Sequence, residues 1–243
     1  MAAQPITKSS PRARAILLVA MTIAGNVLGG TRSEAGDLTA GPASMRTQWD
    51  FTVLLDDKVV GTHGFSRTRA ADGDGGNLNI SSRADFAVRF LGLTVYRYRH
   101  EATERWRDGC LESIEAHTND DGRLNEVSGR RLAAGFTIET RDPSASTPPG
   151  RDSAPGCTSS FAYWDPRLDR HRLLLDPGTG QMTAVSFEDL PPREIEVAGR
   201  PIAVRGMRIL GAAQPIDVWY DARGWAGLDT TVAGDRRLSY RLR

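Results

Sequence analysis

Apolar and polar side chains alternate residue by residue over much of this chain. In "WDFTVLL" Trp49, Phe51, Val53 and Leu55 fall on one face. In the closing "RRLSYRLR", Leu238, Tyr240 and Leu242 oppose Arg237, Ser239 and Arg241. An extended strand sends successive side chains to opposite faces, so these runs predict half-buried antiparallel strands. Turn-forming clusters recur at short intervals: "DDK" after the first run, "DGDGG" at 72–76, "DG" at 108–109, "DDG" at 120–122, "DPGTG" at 176–180, "AGR" at 198–200, "DARG" at 221–224 and "AGD" at 233–235. Residues of these types tolerate positive φ or pre-set a turn. Many short strands joined by short turns predict an all-β fold, an antiparallel meander forming a strongly curved sheet or open barrel with at most one short helix. No helical period is long enough for an α/β fold.

Two stretches break the rhythm. "DPSASTPPGRDSAPG" (142–156) is rich in Pro, Ser and Gly, lacks any period, and reads as a loop. The following "TSSFAYWDPRLDRHRLLL" opens with what reads as a helical turn capped by Ser159 or Ser160 before returning to strand. Long loops on β scaffolds are common binding elements.

The N-terminus follows a different logic. Lys8, Arg12 and Arg14 precede the apolar run "AILLVAMTIAGNVLG", which is shorter than the about 20 residues a membrane-spanning helix needs. Basic residues, a short apolar run and then small residues read as a secretory signal peptide over residues 1–35, with Ser33 and Ala35 before the cleavage point. An uncleaved anchor is the alternative. Residues 36–45 then form a tether and 46–243 a single antiparallel β domain, expected in the periplasm. No cysteine lies near that point to take a lipid. Residues 1–35 hold four of the 31 basic and one of the 30 acidic side chains, so the remainder carries a formal charge of −2. Such a balance attracts neither nucleic acid nor an anionic membrane through bulk charge. Membrane contact is therefore expected to be indirect only.

Candidate chemistry concentrates in "TVYRYRHEATERWRDGCLESIEAHTND". If Asp108-Gly109 is a two-residue turn, Trp106 lies opposite Leu111, Arg105 opposite Glu112 and His100 opposite His117. Tyr96, Tyr98, Glu104, Trp106 and Glu115 share that face. His100 and Glu104 stand roughly 13 Å apart on a strand, too far for a catalytic dyad. A flat hairpin face converges poorly on zinc, and a one-residue slip would separate the ligands. No catalytic residue, metal or cofactor is assigned. The two cysteines, Cys110 and Cys157, most simply form one disulfide in an exported chain. A Cys157 nucleophile would need a His that the sequence does not assign to it. The aromatics Phe161, Tyr163, Trp164, Trp219, Tyr220 and Trp225 read either as core or as the wall of an apolar cavity with the 142–156 loop over its mouth.

Taken together, "WDFTVLLDDKVVGTHGF", "VYRYRHEATERWRDGCLESIEAHTNDDG", "CTSSFAYWDP", "LLLDPGTGQ", "PIDVWYD" and "LSYRLR" resemble an uncharacterised family of exported, β-rich bacterial proteins. The resemblance spans nearly all of 46–243. It implies export and an antiparallel β architecture, brings no activity, and makes both cysteines motif positions. A looser fold analogy is to the half-barrel lipoprotein carriers of the bacterial envelope. The leading expectation is a non-catalytic binding protein for a lipid-like or other apolar molecule. Tyr96, Tyr98, Trp106, Tyr163 and Trp164 would contact the apolar body, and His100, His117 and Glu104 the polar head. The alternatives are a hydrolase built on His100, His117 and Glu115, with or without a metal, and an envelope interaction protein recruiting a partner strand at a sheet edge.

Overall fold

The computed structural model describes residues 45–69 and 76–243. The expected signal peptide, all but the last residue of the tether, and most of the "DGDGG" cluster lie outside the described residues. The described part is all-β. The strands are β1 (Gln48–Leu55), β2 (Lys58–Arg69), β3 (Asn77–Phe90), β4 (Leu93–Arg107), β5 (Cys110–Asp120), β6 (Arg123–Leu132), β7 (Gly135–Arg141) and β8 (Gly150–Ala154). They continue with β9 (Ser159–Ser160), β10 (Leu173–Leu175), β11 (Met182–Ala184), β12 (Ser186–Val197), β13 (Arg200–Leu210), β14 (Ile216–Asp221), β15 (Gly224–Val232) and β16 (Arg236–Leu242).

Thirteen of these make one antiparallel sheet, ordered β12-β13-β14-β15-β16-β1-β2-β3-β4-β5-β6-β7-β8. Every link is a hairpin neighbour except β16–β1, which joins the two ends of the chain with Val53 opposite Tyr240. The sheet curls around one core. Inward residues from both arms, among them Trp49, Phe51, Ile114, Phe136, Val218 and Trp225, belong to a single buried cluster. The sheet does not close, since β8 and β12 end it without pairing to each other. Beyond a bulge at Leu190/Arg193 the β12–β13 hairpin folds over the outer face, where Ile195 and Val204 pack on Trp219 and Ala226.

The turns behave as their residues demand. Asp108-Gly109 and Asp121-Gly122 hold both residues at positive φ, the backbone whose twist matches a tight hairpin. Two bulges reverse the facing of the strand residues beyond them. One at Val53/Leu54 leaves Val60 unpaired, and one at Arg105/Trp106 leaves Glu112 unpaired. Next to the first, Gly61 runs so close to β3 that a Cβ there would sit 2.0 Å from the Asp85 carbonyl oxygen.

Two local expectations are corrected. Residues 150–154 of the expected loop form β8, which pairs with β7 from Thr140↔Gly150 to Phe136↔Ala154. The short helix begins at Leu168, not at Ser159 or Ser160, which form β9 beside β10. In both places pairing to a neighbour overrides a featureless local sequence.

The segment from Thr158 to Val185 is an insert against the inner face of the curl. The Cys110–Cys157 disulfide, with Cα atoms 5.1 Å apart, ties its root to the start of β5, and Leu111 N–H donates to the Thr158 carbonyl at 2.8 Å. The bond closes a loop across a sequence separation of 47, which should stabilise the fold by about 4 kcal/mol through the unfolded chain. Urea unfolding of the Cys110→Ser/Cys157→Ser double variant should show a loss of that order, and the same loss when the parent is reduced. Unchanged midpoints would mean that the bond does not form.

Candidate functional site

Between the insert and strands β2, β3, β4 and β16 the core is not filled. A cavity of about 700 Å³ remains. Its presence shows in the burial pattern. Trp49, Phe51 and Val53 on β1 are at most 1 % exposed, whereas the inward residues of β2 opposite them, Phe65 and His63, are only half-buried. Tyr98, Phe161 and Tyr163 are likewise partly accessible from within. Phe65, Ile80, Ala102 and Tyr240 line the apolar wall, and Phe161, Tyr163 and Trp164 close the side made by the insert. Asp176, Pro177 and Gly178 form part of the boundary, as do Ala212, Ala213 and Gln214.

The polar groups sit along β2 and β4. His63 Nδ1 lies 3.3 Å from the Tyr240 hydroxyl, and its Nε2 is buried without a hydrogen-bond partner. The His63 and His100 rings are 6.5 Å apart, edge to face. His100 Nδ1 is 2.9 Å from the Thr118 hydroxyl. Glu104 accepts from the Trp106 indole N–H at 2.8 Å, and no described residue brings a cation into ion-pair contact with it. On the insert, Gly178 N–H donates to Asp176 Oδ1 at 2.8 Å, and Asn125 on β6 donates to the Gly178 carbonyl at 2.9 Å. The insert's turn is thereby pinned across the sheet.

Burial removes charge from this space. His63 is lowered to about 3 by desolvation, with a smaller push from His100. His100 is lowered by desolvation, against the pull of Asp176. Desolvation raises Glu104, opposed by the nearby Ser160 hydroxyl and the Trp106 indole N–H. The hydroxyls of Tyr98, Tyr163 and Tyr240 are raised by the same cause. The imidazoles and phenols of the wall are thus held toward their neutral forms and the Glu104 carboxyl toward its acid form, with Asp176 at the boundary.

Of the residues singled out in the sequence, Tyr98, His100, Glu104, Tyr163 and Trp164 line this cavity. Trp106 lies behind Glu104 as core, its ring edge-on to Trp164 at 5.2 Å. Tyr96 faces inward at the base of the β3–β4 hairpin and donates its hydroxyl to Asp120 Oδ1 at 2.7 Å. His117 is a correction. The bulge at Glu112 shifts the pairing by one, so His100 faces Thr118 while His117 faces Glu101 on the outer surface. Its side chain is 68 % exposed, 3.7 Å from Glu126. Glu115 is turned outward by the same slip. Nor does any residue of 142–156 line the cavity. The sequence reading missed His63, Phe65, Asp176 and Tyr240. The alternation of "VVGTHGF" was the available signal, but the unpaired Val60 reverses its phase.

Among the described residues no group of three or more His, Cys, Asp or Glu is placed to hold a metal ion. No helix among them is long and apolar enough to cross a membrane.

A family model described as a domain of unknown function, DUF6134, matches residues 51–243. The chain belongs to that family. Among solved structures, the DUF6134 chain is similar to the crystal structure of a beta-barrel-like protein of domain of unknown function DUF1849 from Brucella abortus. The TM-score is 0.56 at 10 % identity, over 81 % of this chain and 94 % of that one. At that identity the likeness shows the fold, a curled antiparallel sheet. No curated protein matches the DUF6134 sequence.

The buried groups give stability two opposing slopes with pH. As pH falls through 6.5 toward 3, His63 gains a proton in the unfolded chain but not in the folded one, so stability is lost across that window. As pH rises above 4.5, Glu104 ionises in the unfolded chain while the folded state resists, so stability is lost in that direction. Chemical denaturation across pH should show His63→Phe flattening the loss between pH 6.5 and 3. Glu104→Gln should gain stability over the parent above pH 4.5. Curves parallel to the parent's would mean that neither side chain is buried as described.

Proposed function

We propose that this DUF6134 protein is a non-catalytic carrier or receptor that takes a lipid-like or other apolar small molecule into the curl of its sheet. The observation that carries this reading is the unfilled interior. The curl leaves an open-sided space of about 700 Å³ between aromatic walls, within the roughly 300–1,000 Å³ of typical ligand sites. The polar groups along β2 and β4 refine the guest's chemistry. A hydroxyl, amide or carbonyl could bond His63 Nε2, His100 or Glu104 without bringing charge into the wall. A carboxylate or phosphate buried at that depth would lack a cation. The apolar body would lie against Phe65, Tyr98, Phe161 and Tyr163, gaining about 25 cal/mol per Å² before ordering costs.

Export to the periplasm belongs to the same reading. It is supported by the basic-then-apolar N-terminal segment and by the Cys110–Cys157 disulfide, a bond that persists in oxidising compartments. The alternatives have less to build on. The catalytic face needs His117 and Glu115 beside His100, and the register sends them outward. Strand recruitment needs an inviting edge. One edge, β8, is five residues long with Arg151 and Asp152 in it, and the other, β12, contains Pro191 and Pro192; both features discourage strand addition.

The test uses full-length protein isolated from its own cell envelope. Native mass spectrometry should find a co-purified small molecule, and N-phenyl-1-naphthylamine should brighten on entering the emptied cavity. Ala102→Phe and, separately, Ser82→Phe fill the space from adjacent strands, and each should weaken dye uptake at least about tenfold. Protein that carries no guest and takes up no dye would overturn the proposal.

A further inference from the structure

The β3–β4 hairpin outruns the sheet. Pairing of β2 to β3 stops at Phe86, and pairing of β5 to β4 stops at Tyr98. Residues 87–96 therefore form a two-stranded ribbon with no paired strand on either side, anchored at its base where Asp121 N–H donates to the Arg97 carbonyl at 2.8 Å and reaching about 15 Å past the sheet. Such a ribbon is marginal in water even with a polar sequence. This one ends in Phe90, Leu91, Leu93 and Val95, which are 53, 86, 72 and 54 % exposed. They make up half of the large hydrophobic side chains exposed among the described residues.

Its turn adds a second observation. Leu91 sits at φ +49° before Gly92 at +81°. The equivalent turns at 108–109 and 121–122 place Asp before Gly in the same backbone, and Asp tolerates positive φ where a bulky residue is strained. The chain here accepts strain that puts leucine at the most exposed point. Strained backbone of this kind points to use rather than to stability.

The third observation is continuity. Cross-strand pairs Phe86/Tyr98, Val88/Tyr96 and Phe90/Leu93 share the inward face, so one apolar strip runs from cavity-lining Tyr98 to the tip. Arg89, opposite Thr94, and Arg97, opposite Ala87, lie on the ribbon's other face. Both are exposed, and among the described residues neither has a carboxylate within ion-pair distance. The acids at the ribbon's base are occupied. Asp120 holds Tyr96 and Arg123, and Asp121 accepts from the Arg97 backbone N–H at 3.3 Å.

We propose that this hairpin tip docks on the surface of an anionic lipid bilayer. Phe90, Leu91, Leu93 and Val95 enter the boundary between headgroups and acyl chains, and Arg89 and Arg97 meet the headgroup phosphates. An apolar crown with cations directly behind it matches that interface layer by layer, at an insertion depth of about 5–10 Å. The inference goes beyond the cavity reading and does not depend on it; it departs from the expectation of indirect membrane contact, which rested on the bulk charge of the chain and not on this local patch.

All five native tryptophans are at most 5 % exposed, and residues 1–44 contain none. The difference in emission between Leu91→Trp in the full chain and the parent thus reports the tip, whatever the N-terminal segment does. Vesicles of phosphatidylcholine and phosphatidylglycerol at about three to one should blue-shift its emission, and brominated acyl chains should quench it. Adding Leu93→Glu should abolish both effects. Arg89→Ser and Arg97→Ser should each weaken binding to these vesicles about fivefold while leaving binding to pure phosphatidylcholine unchanged. Emission that stays water-like with vesicles would overturn the proposal. So would a blue shift with protein concentration alone, which would mean that a second copy covers the tip. Dye uptake by the cavity is a separate signal, so either reading can fail without the other.

Discussion

The pairing of β1 with β16 is the contact on which the rest of the architecture depends. Without it the chain would be two separate meanders, 48–154 and 186–242, each with an apolar face and nothing to cover it. Five residue pairs, from Phe51↔Leu242 to Leu55↔Leu238, fuse them into one ladder. The join is reinforced where it is driest: the Trp49 indole N–H donates to the Trp225 carbonyl at 3.1 Å, and Phe51 packs on Trp225 with ring centroids 4.4 Å apart. Arg46, just before β1, forms a buried ion pair with Asp221 at the end of β14. His63 and Tyr240, which meet at the cavity wall, come from the strands on either side of β1. Their contact exists only because β1 holds β2 and β16 in register.

The same ladder explains which parts of the molecule were legible in the sequence. Where alternation and a tight turn coincide, as around Asp108-Gly109, the hairpin and its first pairs follow directly from the residues. Trp106 does face Leu111. One residue further on the reasoning loses phase, because Glu112 bulges and every later side chain changes face. The β1–β2 hairpin repeats this with the opposite result. Counting back from Asp56-Asp57 without the bulge would turn His63 outward, whereas the unpaired Val60 turns it inward opposite Phe51. Two bulges thus decide the facing of two histidines, sending His117 to solvent and His63 to the cavity. A bulge leaves little trace in composition, since any residue that fits an exposed kink can occupy it.

The insert was opaque for another reason. Residues 158–185 have strands of two or three residues and one three-residue helix, too short for any period to show. Non-local contacts fix them: the disulfide, the Leu111–Thr158 hydrogen bond, and Gly180, where a Cβ would sit 2.2 Å from Thr140 Cγ2. The sequence marked the aromatics of this segment as either core or wall. In the structure they are both, with Trp164 packed on Trp106 and also bounding the cavity. A curl wide enough to need a filling segment, and not wholly filled by it, is what leaves room for a guest.

Charge is zoned accordingly. A quarter of the chain is Asp, Glu, Lys or Arg, and the described ion pairs lie largely on the outer face, as in Arg83–Glu101 and Arg193–Asp229. Arg46 and Asp165 are buried with ion-pair partners, whereas Glu104 is buried in the wall with the Trp106 indole and no described cation. Stability alone does not call for an acid there, because a glutamine carbonyl would accept the same hydrogen bond without a desolvation penalty on ionising. A carboxyl group held toward its neutral form differs in one respect: it can donate its hydroxyl proton in a short, strong bond or give that proton up. On the binding reading, that capacity is directed at the guest. A residue less stabilising than glutamine at position 104 would thereby mark, on that reading, the end of the cavity at which the polar group of an incoming molecule is held.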